Sequence, residues 1–201
     1  MSVLTGDLVG SSDLASSEVD SALTRIEAAT QSMAHWTKGT PQFARRGGDG
    51  WQVAVMSPHL CLRAALYLRA CLRREGDTET RIALAIGQGT LPDDGDLNAA
   101  HGPVFVASGR LLTTITGHAL MAHASGGAEH AATRLADHIA SGWTQAQARA
   151  IAAVLPPDAP PRAEIAKSIG ITRQAVNQAL WSAGYPALAD ALDALEQGAR
   201  K

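Results

Sequence analysis

Two aspartates, Asp7 and Asp49, are candidate ligands for a metal ion. Asp7 lies near the end of an apolar run, residues 2–8, that predicts a buried strand. Asp49 lies in a Gly-Gly-Asp-Gly turn between residues 42–46 and 51–56, which predict the two strands of a β-hairpin. A pair of neighbouring carboxylates suits a hard cation such as Mg²⁺ or Mn²⁺, which also accepts phosphate oxygens. Each aspartate alone is also common turn chemistry, so their spacing leaves a metal site and a structural role equally open.

Several residues could bind an anion beside these carboxylates. The chain after Asp7 is a loop of small residues, and the backbone N–H groups of such a loop can face a phosphate. The loop residues are Leu8, Val9, Gly10, Ser11 and Ser12. Arg110, on a helix predicted over residues 102–115, could bind a phosphate through both arms of its guanidinium. These groups are consistent with a site for a phosphorylated ligand.

Residues 163–180 match a helix-turn-helix of the DNA-binding type position by position. Gly170 suits the tight turn, where a positive φ costs glycine least. Thr172 is expected to cap the second helix. The side chains expected in the core of the motif are Ile165, Ala166, Ile171, Val176 and Leu180.

The second helix of this motif carries side chains that can pair with base edges in the major groove. Those expected to contact DNA are Thr172, Arg173, Gln174, Asn177 and Gln178. Trp181 is expected to lie in a core or an interface rather than to stack on a base. The alternative is an ordinary helical hairpin, or one that contacts proteins. We therefore expect double-stranded DNA as the partner of this segment.

The elements that must position these residues fall into two groups. The first group, within residues 1–127, follows the order strand, helix, hairpin, helix, strand, helix, strand. Its members are predicted at residues 2–8, 18–38, 42–46, 51–56, 58–74 (with Ser57 as N-cap), 81–86, 102–115 and 118–124. This order predicts an α+β sandwich of the ferredoxin-like type, with helices on one face of a mostly antiparallel sheet. Residues 128–201 are predicted to form an all-helical second domain that contains the helix-turn-helix.

The composition of the chain indicates where the protein is located and what a DNA-binding surface on it would require. The 201 residues carry a net charge of −2, so a DNA-binding surface must be local or be doubled by dimerisation. Cys61 and Cys71 are separated by about 15 Å of predicted helix, too far for a disulfide, and are expected to be buried free thiols. The N-terminus does not resemble a signal peptide, and no apolar run approaches the roughly 20 residues of a membrane span. A cytoplasmic location with no membrane contact is expected.

The order of these motifs resembles the class III nucleotidyl cyclase homology domain. In particular, the chain looks like the SatD family, short proteins that pair such a domain with a C-terminal helix-turn-helix. The segments that carry the resemblance are Thr-Gly-Asp-Leu-Val-Gly-Ser at residues 5–11, Arg-Gly-Gly-Asp-Gly-Trp-Gln at 46–52, Arg-Ile-Ala-Leu-Ala-Ile-Gly at 81–87 and Gly-Pro-Val-Phe-Val-Ala-Ser-Gly-Arg at 102–110. The resemblance covers most of the chain.

The resemblance implies a role for each site residue. Asp7 and Asp49 would hold the metal ions, and the backbone amides of residues 8–12 would cradle a triphosphate. Arg45 falls where many adenylyl cyclases place a purine-selecting lysine. Arg110 falls where the cyclases place the arginine that stabilises the transition state. Because cyclase homology domains build their sites at a head-to-tail dimer interface, the resemblance also implies a homodimer.

Val106 departs from the cyclase pattern, which has an asparagine at this position. Valine cannot hydrogen-bond a ribose or a phosphate, so nucleotide binding is expected to survive better than cyclisation. The expected function is a transcription regulator whose degenerate cyclase-like domain senses a purine nucleotide with Mg²⁺ or Mn²⁺. One alternative is an active nucleotidyl cyclase with an appended helix-turn-helix module. Another is an adaptor in which both domains only bind proteins.

Overall fold

Five strands form one mixed sheet in the computed structural model, which describes residues 1–93 and 95–198. The strands are β1 Ser2–Leu8, β2 Gln42–Arg46, β3 Gly50–Val55, β4 Thr80–Ile86 and β5 Met121–His123. Their order across the sheet is β2-β3-β1-β4-β5. Every neighbouring pair is antiparallel except β4 with β5, which is parallel. The predicted α+β class and the mostly antiparallel sheet are therefore confirmed.

Eight α-helices accompany the sheet within the described residues. They are α1 Ser16–Ser32, α2 Cys61–Arg73, α3 Pro103–Leu112, α4 Gly127–Ser141, α5 Gln145–Val154, α6 Arg162–Ser168, α7 Arg173–Ser182 and α8 Tyr185–Gly198. The largest difference from the predicted bounds is in α1, which gives way to a short 3₁₀ helix over Met33–His35, whereas the pattern predicted helix to residue 38.

Helices cover both faces of the sheet. Adjacent residues of a strand point to opposite faces, so Leu4 joins the main core with α1 and α2, while Val3 packs against Val104 of α3. The prediction that the helices lie on one face was therefore wrong. The second face carries small apolar side chains such as Ala83 and Ala85, which let a helix pack closely although they give only a weak hydrophobic pattern.

Helix α2 lies at the centre of the molecule. Every residue from Cys61 to Leu72 is buried, and one hydrophobic cluster runs from β1 through α2 to α8. The boundary predicted between residues 127 and 128 falls at the start of α4, but the apolar packing continues across it. The division of the chain into two domains stays a prediction.

Two buried arginines connect α2 to the helices that follow the sheet. Arg63 Nε donates to Glu196 Oε1 at 2.6 Å, and its Nη1 donates to the Leu155 carbonyl at 2.8 Å. Arg69 Nη1 donates to Asp137 Oδ1 at 2.7 Å. Charges are stable in an interior only when they are paired and hydrogen-bonded. These contacts therefore fix α4 and α8 against α2.

Ser57 occupies the predicted N-cap position ahead of Pro58, but its side chain makes no capping hydrogen bond to the helix. Its hydroxyl accepts the Lys38 N–H at 2.7 Å, and a 3₁₀ helix over Pro58–Leu60 precedes α2. A serine followed by a proline is a typical helix start, but here a bond to the loop after α1 occupies the hydroxyl.

The prediction for the two cysteines is confirmed. Cys61 and Cys71 are buried free thiols, and burial raises the pKa of Cys61 to about 12. Across residues 1–93 and 95–198, no helix is both long enough and apolar enough to cross a membrane.

Candidate functional site

One end of the sheet brings three charged side chains into a single row. In the strand register, Arg46 lies opposite Gly50, Gly50 opposite Asp7, and Asp7 opposite Arg81. Directly opposite residues point to the same face, so the row lies on the face that α3 packs against. Asp49 precedes Gly50 in the chain, and both predicted metal ligands therefore reach this end of the sheet.

Arg81 holds the Asp7 carboxylate, and sequence reasoning missed this partner. Arg81 Nε donates to Asp7 Oδ1 at 2.8 Å, and Nη2 donates to Oδ2 at 2.7 Å. Arg81 Nη1 also donates to the Ile115 carbonyl at 3.3 Å, in the chain after α3. The sequence did carry a signal for this partner. A strand antiparallel to β1 must begin beside the end of β1, so a basic residue at the start of such a strand would lie next to Asp7. The sequence alone did not specify that β4 is that strand.

Asp49 lines an open depression of about 400 Å³ between the hairpin turn and α1. Its carboxylate accepts a hydrogen bond from the Ser11 hydroxyl. Ser11 and Ser12 line the same depression, and Asp20 of α1 adds a second carboxylate to its wall. The structure thus brings Ser11, Ser12 and Asp49 together, whereas the carboxylates of Asp7 and Asp49 have different partners.

The other residues of the predicted phosphate loop have different surroundings. Leu8 is buried as the last residue of β1. The Val9 N–H donates to the Glu79 carbonyl at 2.9 Å, so this amide is already bonded within the protein. Gly10 has a φ of 65°, a conformation that glycine adopts at little cost. The part of the loop that faces the depression is its serine end.

Two further predicted residues, Arg45 and Arg110, are exposed. Arg45 borders the depression, since its Nη1 donates at 2.6 Å to Asp20, a residue of the wall. Arg110 lies in the last turn of α3. Val106 lies about one turn earlier and is 50% exposed, so the position where cyclases have an asparagine faces solvent rather than the core.

A chain of hydrogen bonds connects the charged row to α3. Arg46 Nη2 donates to Gln52 Oε1 at 2.8 Å, and Gln52 Nε2 donates to the Thr5 hydroxyl at 2.9 Å. The Thr5 and Ser108 hydroxyls share a hydrogen bond of 2.8 Å. Because Gln52, Thr5 and Ser108 are buried, these bonds satisfy polar groups between α3 and the sheet and so position α3.

The second candidate site consists of helices α6 and α7. Gly170, between them, has a φ of 73°, and the Thr172 hydroxyl accepts the Ala175 N–H at 3.1 Å. Both features were predicted and are confirmed. The side chains that are buried as predicted are those of Ile165, Ala166, Val176 and Leu180. Ile171 is 41% exposed, so its predicted place in the core was wrong; Ile169 packs against the core instead.

Polar side chains line the outer face of α7. The exposed residues of the predicted DNA-contacting set are Thr172, Arg173, Gln174 and Gln178. Asn177 is half-buried, and its Oδ1 accepts a bond from Arg162 Nη1 at 2.9 Å. Trp181 is 78% exposed, which excludes the expected place in this protein's core. Gln174, Gln178 and Trp181 recur at helical spacing and so share one face.

The two sites offer different chemistry. The sheet end has carboxylates, a guanidinium and an open depression lined with hydroxyls, all groups found in phosphate and divalent-cation sites. The outer face of α7 carries groups that can bond base edges. Neither the known protein-family models nor the curated proteins include a match to this chain.

Proposed function

We propose that this protein is a DNA-binding transcriptional regulator in which α6 and α7 form a helix-turn-helix. The observation that carries the proposal is the exposed polar face of α7, on a helix that is capped by Thr172 and buried through Val176 and Leu180. In this proposal α7 enters the major groove, where Arg173 and Gln174 bond base edges.

The charge of the α6–α7 unit supports a DNA partner. Residues 162–182 contain three basic side chains and one acidic side chain, although the whole chain carries −2. The basic side chains, Arg162, Lys167 and Arg173, are all exposed. Contacts with DNA phosphates need such a local positive surface. A homodimer would double this surface and present two α7 helices to half-sites about 34 Å apart or a multiple of that distance.

We propose further that the sheet end senses a purine nucleotide with a divalent metal ion. The order β2-β3-β1-β4, with α1 and α2 in the connections, agrees with a ferredoxin-like sandwich and so supports the resemblance to cyclase homology domains. The depression at Ser11, Ser12 and Asp49 would receive the phosphates. Arg45 and Arg110 are the remaining candidates for contact with the nucleotide.

The side chains at the sheet end belong to the types that bind divalent cations. Mg²⁺ and Mn²⁺ bind through one or two carboxylates together with phosphate oxygens, and Asp7, Asp49 and Ser11 supply hard oxygen atoms here. In the described part of the chain, no three His, Cys, Asp or Glu side chains are grouped to hold a metal ion. Phosphate oxygens and water would therefore complete the coordination, and the cation would offset the negative charge of the phosphates.

Paired substitutions in α7 test the proposed DNA contact. Arg173→Ala with Gln174→Ala is expected to abolish specific binding of a selected operator, because each lost base contact costs about 1–3 kcal/mol. The fold should be unchanged, since both side chains are exposed. Footprinting and an operator titration measure the effect. The matched control combines Arg74→Ala, directly after α2, with Gln31→Ala in α1. It changes the same two residue types at positions away from α7. An unchanged footprint would remove Arg173 and Gln174 from base recognition.

A further inference from the structure

We infer that Arg81 is a built-in cation that competes with a divalent metal ion for Asp7 and thereby sets the metal affinity of the sheet end. The inference rests on the proposed metal site. It starts from the ion pair in which one guanidinium donates to both oxygens of the Asp7 carboxylate.

A metal ion and Arg81 would interfere at Asp7. Mg²⁺ approaches a carboxylate oxygen to about 2.0–2.1 Å, while the two Arg81 nitrogens already lie at 2.7 and 2.8 Å from the two oxygens. Both groups are positive, so a shared carboxylate adds charge repulsion to the crowding. Each oxygen keeps a second lone pair, so a metal ion can still reach Asp7, but the charge and bulk of the Arg81 fork lower the affinity of Asp7 for it.

The ion pair between Asp7 and Arg81 is held firmly enough to compete with a metal ion. Asp7 and Arg81 are directly opposite in neighbouring strands, and their side chains are only 22% and 36% exposed. Partly buried charges are screened less by salt than exposed ones. A third bond, from Arg81 Nη1 to the Ile115 carbonyl, also holds the guanidinium in place.

A metal ion that displaced Arg81 from Asp7 would free its guanidinium at this end of the sheet. A phosphate oxygen is a strong partner for a free guanidinium, so a metal ion and a phosphate should bind together better than either alone. Arg46, on the other side of Gly50, differs in this respect. It donates to Gln52 and to the Leu97 carbonyl, and these bonds do not involve Asp7.

Mn²⁺ binding to the full chain, measured by electron paramagnetic resonance without nucleotide or DNA, tests the inference. Arg81→Gln is expected to raise the Mn²⁺ affinity roughly tenfold or more, the size of a lost charge-assisted hydrogen bond. Arg46→Gln is the matched control, because it removes the same charge from the same row, and it should produce a much smaller change. Adding Asp7→Asn to Arg81→Gln should abolish the gain.

The possible outcomes separate this inference from the proposed function. Equal affinity in the wild type and Arg81→Gln, with binding that Asp7→Asn removes, would overturn the competition and leave the metal site intact. Absence of Mn²⁺ binding in both proteins would overturn the competition and the proposed metal site together. An equal gain in Arg46→Gln would assign the effect to net charge and also overturn the competition. If Arg81→Gln does not fold, Arg81→Lys keeps the charge but loses the planar fork, and a smaller gain in the same direction is expected.

Discussion

Gly50 lets the charged row form across β3 without a side chain between Arg46 and Asp7. A Cβ at Gly50 would lie 2.3 Å from the Arg46 carbonyl oxygen, a backbone atom that cannot rotate away. At Gly48, in the same hairpin turn, a Cβ would meet no atom within 4 Å. Gly50→Ala is expected to lower the free energy of unfolding by about 1–3 kcal/mol, and the control Gly48→Ala by less than about 0.5 kcal/mol. Urea denaturation measures both, and equal effects would contradict this account of the row.

The prediction about catalysis depends on Val106. The purified protein with ATP or GTP and Mn²⁺ is expected to form little or no cyclic nucleotide, because valine offers no hydrogen bond where the cyclase pattern has an asparagine. Chromatography of the reaction products measures this, and Val106→Asn is the variant that restores the amide. Robust, metal-dependent production of cyclic nucleotide in the wild type, lost in Asp7→Ala, would instead establish the enzyme alternative.

Single residues also show where the sequence predicted the site and where it did not. Thr172, Gly170 and the buried positions of α7 follow from local rules of capping, turn conformation and helical spacing, and the structure confirms them. The environment of Ile171 and the partner of Asp7 do not follow from local rules. They depend on which of two isoleucines reaches the core, and on which strand pairs with β1.

At the level of elements, hydrophobic pattern and turn residues were sufficient to predict all five strands and their approximate bounds. Pattern alone did not predict that helices cover both faces of the sheet. Helix α3 packs over small residues such as Ala85 and over the buried polar pair Thr5 and Ser108. These side chains have weak or polar signatures in the sequence, and only the assembled sheet shows that they form a packing surface.

The contact between α2 and α8 provides a stability prediction for these elements. Arg63 pairs with both Glu196 and Asp193, whose side chains are 9% and 64% exposed. Glu196→Ala is expected to cost about 3–5 kcal/mol because it leaves a buried guanidinium short of a partner. Asp193→Ala is expected to cost at most about 1 kcal/mol, since solvent already screens that pair. Thermal denaturation compares the two variants. If both cost the same, burial is not what gives the Glu196 pair its strength.

For the whole molecule, the proposed function requires coupling between the sheet end and α7. A nucleotide with Mg²⁺ is expected to change operator affinity by about 5–150-fold, the usual range of allosteric coupling, and DNA must change nucleotide affinity by the same factor. Asp49→Asn is expected to remove the response, because Asp49 lines the depression and is a proposed metal ligand. Operator titrations with and without nucleotide measure the coupling.

Asp13→Asn is the matched control for this experiment. Asp13 is exposed at the end of the short 3₁₀ helix Ser11–Asp13, directly after the two serines of the loop, and it is outside the proposed set of ligand-binding residues. Its substitution should leave the nucleotide response intact. If operator affinity never responds to any nucleotide, the sheet end is not a nucleotide sensor, and the adaptor alternative takes its place.

The buried arginines of α2 also bear on how the chain folds as the ribosome makes it. Glu196, the partner of Arg63, comes 133 residues later in the chain, and Asp137, the partner of Arg69, comes 68 residues later. Synthesis proceeds from the N-terminus, so α2 leaves the ribosome with two cations whose buried partners do not yet exist. Unpaired charges resist burial. The core around α2 should therefore close only after α8 has emerged from the ribosome.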